Sequence, residues 1–157
     1  MPVDSNADNA GVAAPAPVIY GAAIAIGLIA EFAVPVALPA RSVSTWLGAF
    51  AIAISIPIAI CAFRTLARSR TAFDARKPTS SIVTDGPFRY ARNPTYLSLT
   101  LVHIGVALVF GLPWVLAMVV PAVAVVHWGV VLREERYLEA KFGEEYRRYA
   151  AKVRRWA

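Results

Sequence analysis

An all-α bundle embedded in a membrane, with four spanning helices, is the fold class this sequence predicts. Three observations lead there. Of the 157 residues, 58% are hydrophobic and only 17% are charged, against about 45–50% and about 25% in an average soluble domain. Two long stretches carry no formal charge, Ser42 to Phe63 and Asn93 to Leu132. The basic residues gather in two segments rather than spreading over a surface. Composition also excludes several classes. Low hydrophobicity marks disorder, so most of the chain is not disordered. Cys61 is the only cysteine, which removes a disulfide scaffold. One Cys and two distant histidines, His103 and His127, leave no zinc-ligand spacing, so no metal is expected. No groove-reading motif accompanies the net charge of +6, so no nucleic-acid partner is expected.

Taken in order, residues 1–17 are polar and then Ala/Pro-rich, without the basic start of a signal peptide, and read as a flexible tail. A span needs about 20 apolar residues. The first is placed at 18–38, weakened by Glu31 and Pro35, and the second at 43–63 between Arg41 and Arg64. The segment 64–93 is a polar loop. The uncharged stretch 93–132 is too long for one pass and is divided by Gly111-Leu112-Pro113-Trp114, a turn signal, into spans 94–111 and 113–132. Residues 133–157 read as an amphipathic helix. Its stripe is Leu138, Phe142, Tyr146, Tyr149, Val153 and Trp156. It would lie along the membrane surface or cover the ends of the spans. Gly143 weakens it by roughly 1 kcal/mol relative to Ala, so a kink is expected there. Residues 18–157 are read as a single domain.

The segment 64–92 holds seven basic residues and 133–157 holds eight. Basic loops stay in the cytoplasm, and an even number of spans puts both segments and both termini on that side. In a bacterium this means the inner membrane, a source hinted at by 13 Arg to 3 Lys.

Two polar clusters demand an explanation. The first runs Thr84-Asp85-Gly86-Pro87-Phe88-Arg89-Tyr90-Ala91-Arg92-Asn93-Pro94-Thr95-Tyr96. Gly86-Pro87 makes a turn whose backbone can approach a ligand closely. Pro94 suits the first helical turn and Asn93 can cap it. Arg89 and Arg92 beside a helix N-terminus favour an anionic group; ordinary interface anchoring explains the same residues. The second cluster is Glu134-Glu135 at the end of the fourth span. Two adjacent carboxylates need compensation, either from a ligand with positive charge or hydroxyls, or from ion pairs with Arg89, Arg92, Arg133 or Arg136. A tight hairpin at 111–114 would make spans three and four antiparallel neighbours and bring the clusters together. Asn93, Tyr96, Thr100 and His103 can share one helix face, and His127 and Glu134 another. Glu31, the acid inside a span, must find a partner or protonate. Cys61 reads as inert.

Val83 to Tyr90, Arg92 to Leu97, Glu134-Glu135, Leu138, Phe142 to Tyr146, Tyr149 and Val153-Arg154 resemble the isoprenylcysteine carboxyl methyltransferase family and the related phospholipid methyltransferases. The match covers about residues 71–157. The resemblance implies an integral-membrane methyltransferase that uses S-adenosylmethionine and a lipid-like or prenylated acceptor at the cytoplasmic interface, among membrane lipids. It carries a cofactor site over to Val83, Gly86, Tyr90, Arg92, Asn93, Pro94, Tyr96, Glu134 and Glu135. Where the family often has His, this chain has Asn93, which hydrogen-bonds but cannot titrate. Arg89 or Arg136 would hold a carboxylate acceptor, and Glu135 or its neighbour would deprotonate an amine. A sterol-reductase-like enzyme using NADPH and a non-enzymatic membrane subunit are the competing readings.

Overall fold

The structure, a computed structural model, describes residues 9–69 and 79–156. Expectations resting on Asp4, Asp8, Arg70, Arg76 and Lys77 lie outside those residues. Helices make up 76% of the described residues; the one β-type pairing among them is an isolated bridge between Ala91 and Arg154.

Helix α1 spans Ala16–Ala33 and stops short of the expected residue 38. Pro35 disfavours helical geometry at the preceding residue, and Val34 is indeed extended, with φ −139° and ψ 81°. Helix α2 spans Arg41–Arg68, running one turn beyond the apolar stretch so that its basic end emerges. Helix α3 spans Pro94–Phe110. It packs on α2 through a crossing of glycines. A methyl group on Gly48 would lie 2.7 Å from the Gly105 carbonyl oxygen, and one on Gly105 would lie 2.5 Å from Ile52. Small residues of this kind let helix backbones approach closely in a membrane, where packing rather than water drives association.

Gly111, at φ +69°, ends α3 in the left-handed region that favours glycine. The chain then reverses into α4, Pro113–Ala117. Two charged side chains complete this turn. The Glu31 carboxylate accepts the Trp114 backbone N–H at 2.6 Å, and Arg41 donates to the Leu108 carbonyl at 3.2 Å. An acid at a helix start and a base at a helix end each oppose the local helix dipole. Glu31 thus has the partner its position requires.

The return helix runs from Pro113 to Phe142 with two irregularities. Helix α4 breaks at Met118, and α5 covers Val119–Val126. Pro121 explains the break: its ring opposes the carbonyl four residues earlier, at Ala117, where α4 ends. A π-turn occupies His127–Val131, and α6 continues over Leu132–Phe142. The wider turn rotates everything after it. His127 therefore packs against Trp128 and Trp156, whereas Glu134 meets Tyr96, so the two do not share the face expected from an ideal helix.

The kink falls at Gly143, with φ 53° and ψ −123°. Helix α7 spans Glu144–Lys152, after which Val153 turns extended. The terminal helix is thus shorter than 133–157, because residues 154 and 155 hydrogen-bond to the loop before α3 instead. The described part of the expected tail is also packed. Ala10 and Val12 are buried in the core with Val130, Val131 and Tyr137, and Arg133 donates to the Gly11 carbonyl at 2.8 Å. Apolar burial fastens a segment whose composition suggested none.

Three helices, Ala16–Ala33, Arg41–Arg68 and Pro113–Phe142, are long and apolar enough to cross a membrane; α3 is apolar but shorter. Only 22%, 17% and 28% of their apolar windows is buried inside the bundle. So large an apolar exterior marks a membrane-facing surface, and the chain fits a multi-pass membrane protein.

The glycine crossing gives the first test. Gly105→Ala should destabilise the bundle by about 1–3 kcal/mol through overpacking. Thermal unfolding in detergent checks it, with Gly21→Ala, where a methyl meets nothing, expected not to lower the midpoint and to raise it slightly through helix propensity.

Candidate functional site

The hairpin places the start of α3 beside the end of the return helix. Pro94 begins α3 at its first turn and is buried. Asn93 does not cap α3 with its side chain. Its amide instead donates to the Arg155 carbonyl at 3.0 Å. Tyr96, one turn along, donates its hydroxyl to Glu134 Oε2 at 2.9 Å.

Glu135 is neutralised within the protein. The Arg155 guanidinium forks onto it, Nε to Oε1 and Nη2 to Oε2, both at 2.8 Å. Arg92 Nη1 lies 3.2 Å from Oε1. The Glu135 side chain is 14% exposed and that of Arg92 is 15%, so that pair is largely shielded from solvent, whereas Arg155 is 35% exposed. Forked guanidinium–carboxylate contacts are among the stronger hydrogen bonds. Glu134 has no ion pair with another described residue. Arg92 Nε is buried without a hydrogen-bond partner. A buried donor left unpaired is costly.

These groups line a cleft of about 80 Å³, smaller than the range of about 300–1,000 Å³ common for small-molecule sites. Val83, Arg92, Asn93, Tyr96, Glu134 and Glu135, all expected at a site, line it. Five other candidates do not. Gly86 packs its backbone on α2, where a Cβ would sit 2.6 Å from the Thr65 hydroxyl, and its φ of +57° explains the glycine. Pro94 is enclosed in the helix start. Tyr90 is 78% exposed. Arg89 lines a separate open groove with Arg148 and Lys152. Arg136 is exposed and donates Nε to the Leu132 carbonyl at 3.2 Å.

Leu138, Tyr146 and Tyr149 complete the cleft from α6 and α7, with Phe88 and Ile82 from the loop. The three helical residues belong to, or adjoin, the apolar stripe read from the sequence, which turns inward over the span ends. Tyr149 donates to the Phe88 carbonyl at 2.8 Å and so pins the Gly86–Arg89 turn. Arg155 gave no sequence signal beyond its charge; its partner is set by tertiary structure alone. His103 is buried, with Nε2 2.9 Å from the Val115 carbonyl, and its ring stands edge-on to Tyr20. These contacts join α1, α3 and α4 away from the cleft.

Burial, then repulsion from Glu135, pushes the Tyr146 phenol up to about 12 from its ordinary 10.0, partly offset by Arg92. The native state therefore holds this proton more tightly than the unfolded chain. Its contribution is present below pH 10 and is lost as pH rises towards 12. Tyr146→Phe should flatten that part of the stability curve, as read by thermal unfolding at stepped alkaline pH.

Comparison with known proteins adds the family context. The "Phospholipid methyltransferase" family model matches residues 43–145, which includes α2, α3, the return helix and both polar clusters. A Haemophilus influenzae protein named "Uncharacterized protein" is 46% identical over 61 residues, covering 39% of this chain and 97% of its own length. The family is part of the isoprenylcysteine carboxyl methyltransferase-like superfamily. The match extends over about two-thirds of the sequence, and the chain belongs to the phospholipid methyltransferase family.

Proposed function

We propose that this membrane methyltransferase takes its methyl group from S-adenosylmethionine and passes it to the amine of a lipid-like acceptor at the cytoplasmic rim of the bilayer. The observation that carries this reading is the convergence, in one cleft, of Arg92 with its unpartnered Nε–H and Glu134 with no ion pair among the described residues. The cleft residues fit the donor. Arg92 would hold its α-carboxylate, and Tyr146, Tyr149 and Phe88 offer flat apolar walls to its adenine. When bound, the donor supplies an electrophilic methyl group on a sulfonium.

The protein's own task is alignment, shielding from water and one proton. Holding reacting atoms about 3–3.5 Å apart supplies about 7–11 kcal/mol. An amine acceptor must lose a proton to expose its lone pair, and the Glu134 carboxylate would take it while Tyr96 holds Oε2. A carboxylate acceptor needs no base but needs a cation. Arg89 and Arg136 face away from the cleft, Arg155 is forked onto Glu135, and Arg92 would be taken up by the donor's own carboxylate. The charge arrangement therefore favours N-methylation over carboxyl methylation. A polar donor from the cytosol and a lipidic acceptor from the bilayer would meet at such a boundary, with the basic segments on the cytoplasmic side.

S-adenosylhomocysteine should quench the tryptophan fluorescence of the purified protein in detergent, and NADPH should not; the reverse result refutes the reading. Arg92→Ala should weaken S-adenosylhomocysteine binding by about tenfold or more, the value of a charged hydrogen bond. Glu134→Gln should bind it nearly as wild type but lose about 10²–10⁴-fold in methyl transfer to extracted lipids. Equal loss of binding in both variants would remove Glu134 from the proton's path.

A further inference from the structure

Glu135 receives two guanidinium groups, those of Arg155 and Arg92. The outer of the two is held from three sides. The Arg92 backbone N–H donates to the Arg154 carbonyl at 2.8 Å. The Asn93 side chain donates to the Arg155 carbonyl at 3.0 Å. Trp156 packs against the buried core, with its ring 6.2 Å from that of His127. Residues 154–156 thus form a strap whose every described polar contact is to the site's own residues. Its purpose in the geometry is the forked contact of Arg155 with Glu135 at 2.8 Å and 2.8 Å.

We infer that Arg155 is a positioning residue for the methyl donor: it fixes Glu135 by a two-point contact, and Glu135 in turn fixes the Arg92 guanidinium at the wall of the cleft. This deepens the proposed function and rests on it. A carboxylate held at one point can swing about its side-chain bonds; held at both oxygens it cannot. Glu135 touches Arg92 by one contact and the Tyr146 phenol gives a second hold, so without the fork on the far side of Glu135 the Arg92 guanidinium is loosened. The Arg92 guanidinium then serves the end of the ligand that is anionic. Arg155 touches no ligand itself in this scheme.

The test uses the full chain in detergent and two probes, S-adenosylhomocysteine and 5′-methylthioadenosine, which lacks the amino-acid end. Arg155→Ala should weaken S-adenosylhomocysteine binding about tenfold and leave 5′-methylthioadenosine binding within about twofold. A collapsed cleft would weaken both, so that result overturns the inference. Arg155→Lys keeps the charge but not the fork, and should fail to restore binding; full restoration overturns the two-point role. Glu135→Gln combined with Arg155→Ala should be no worse than the more impaired single variant, because both break one linkage. Additive losses would oppose it. Wild-type protein that binds neither probe sinks the methyl-donor reading and this inference together. Wild-type binding with Arg155→Ala unaffected sinks this inference alone.

Discussion

Hydrocarbon offers no hydrogen bonds, so a chain that reverses inside or at the edge of a bilayer must satisfy its own helix ends. The reversal between α3 and α4 does this with Gly111, Glu31 and Arg41. One carboxylate meets the start of a helix and one guanidinium meets the end of another. Their reach across from α1 and α2 ties all four apolar segments together at that rim. Because α3 and the return helix leave this point as close antiparallel neighbours, their opposite ends are obliged to meet. The cleft with Arg92, Glu134 and Glu135 sits there. The site is thus a consequence, one helix length away, of how the turn is capped.

At the cleft itself, the two adjacent acids have different fates. Glu135 faces two arginines and acts as a structural counter-ion. Glu134, one residue earlier on a helix, points towards Tyr96 and has no ion pair with another described residue. Residues one apart on a helix lie on different faces, about 100° apart at 3.6 residues per turn. A neighbouring pair can therefore divide its labour, one member holding the scaffold and the other facing the ligand. Family membership supports methyl transfer in general; this division of charge supports the choice of an amine.

Much of this was legible in the sequence, for physical reasons. Apolar length and charge clustering locate helices in a membrane protein because the bilayer imposes both. The meeting of the two clusters followed from Gly111 and Pro113, residues whose backbone behaviour is nearly independent of context. What escaped was contingent on tertiary packing. Nothing local distinguishes Arg155, which pairs with Glu135, from Arg136, which bonds its own helix. Gly86 was read as a ligand contact, but its bareness serves the approach of the loop to Thr65. Asn93 was read as a cap, and its amide is spent on the strap. The packing of Ala10 and Val12 was hidden because small apolar residues in a polar segment carry little signal until a partner surface is known.

The π-turn at His127–Val131 changes what the return helix can be. A wide turn of this kind amounts to one extra residue in a regular helix. It behaves as a phase shifter. The lipid-buried half keeps the angular pattern that its packing demands, while the half beyond the shifter is free to present acids in another direction. Two incompatible azimuths coexist along one continuous rod, with no break in the chain to weaken it.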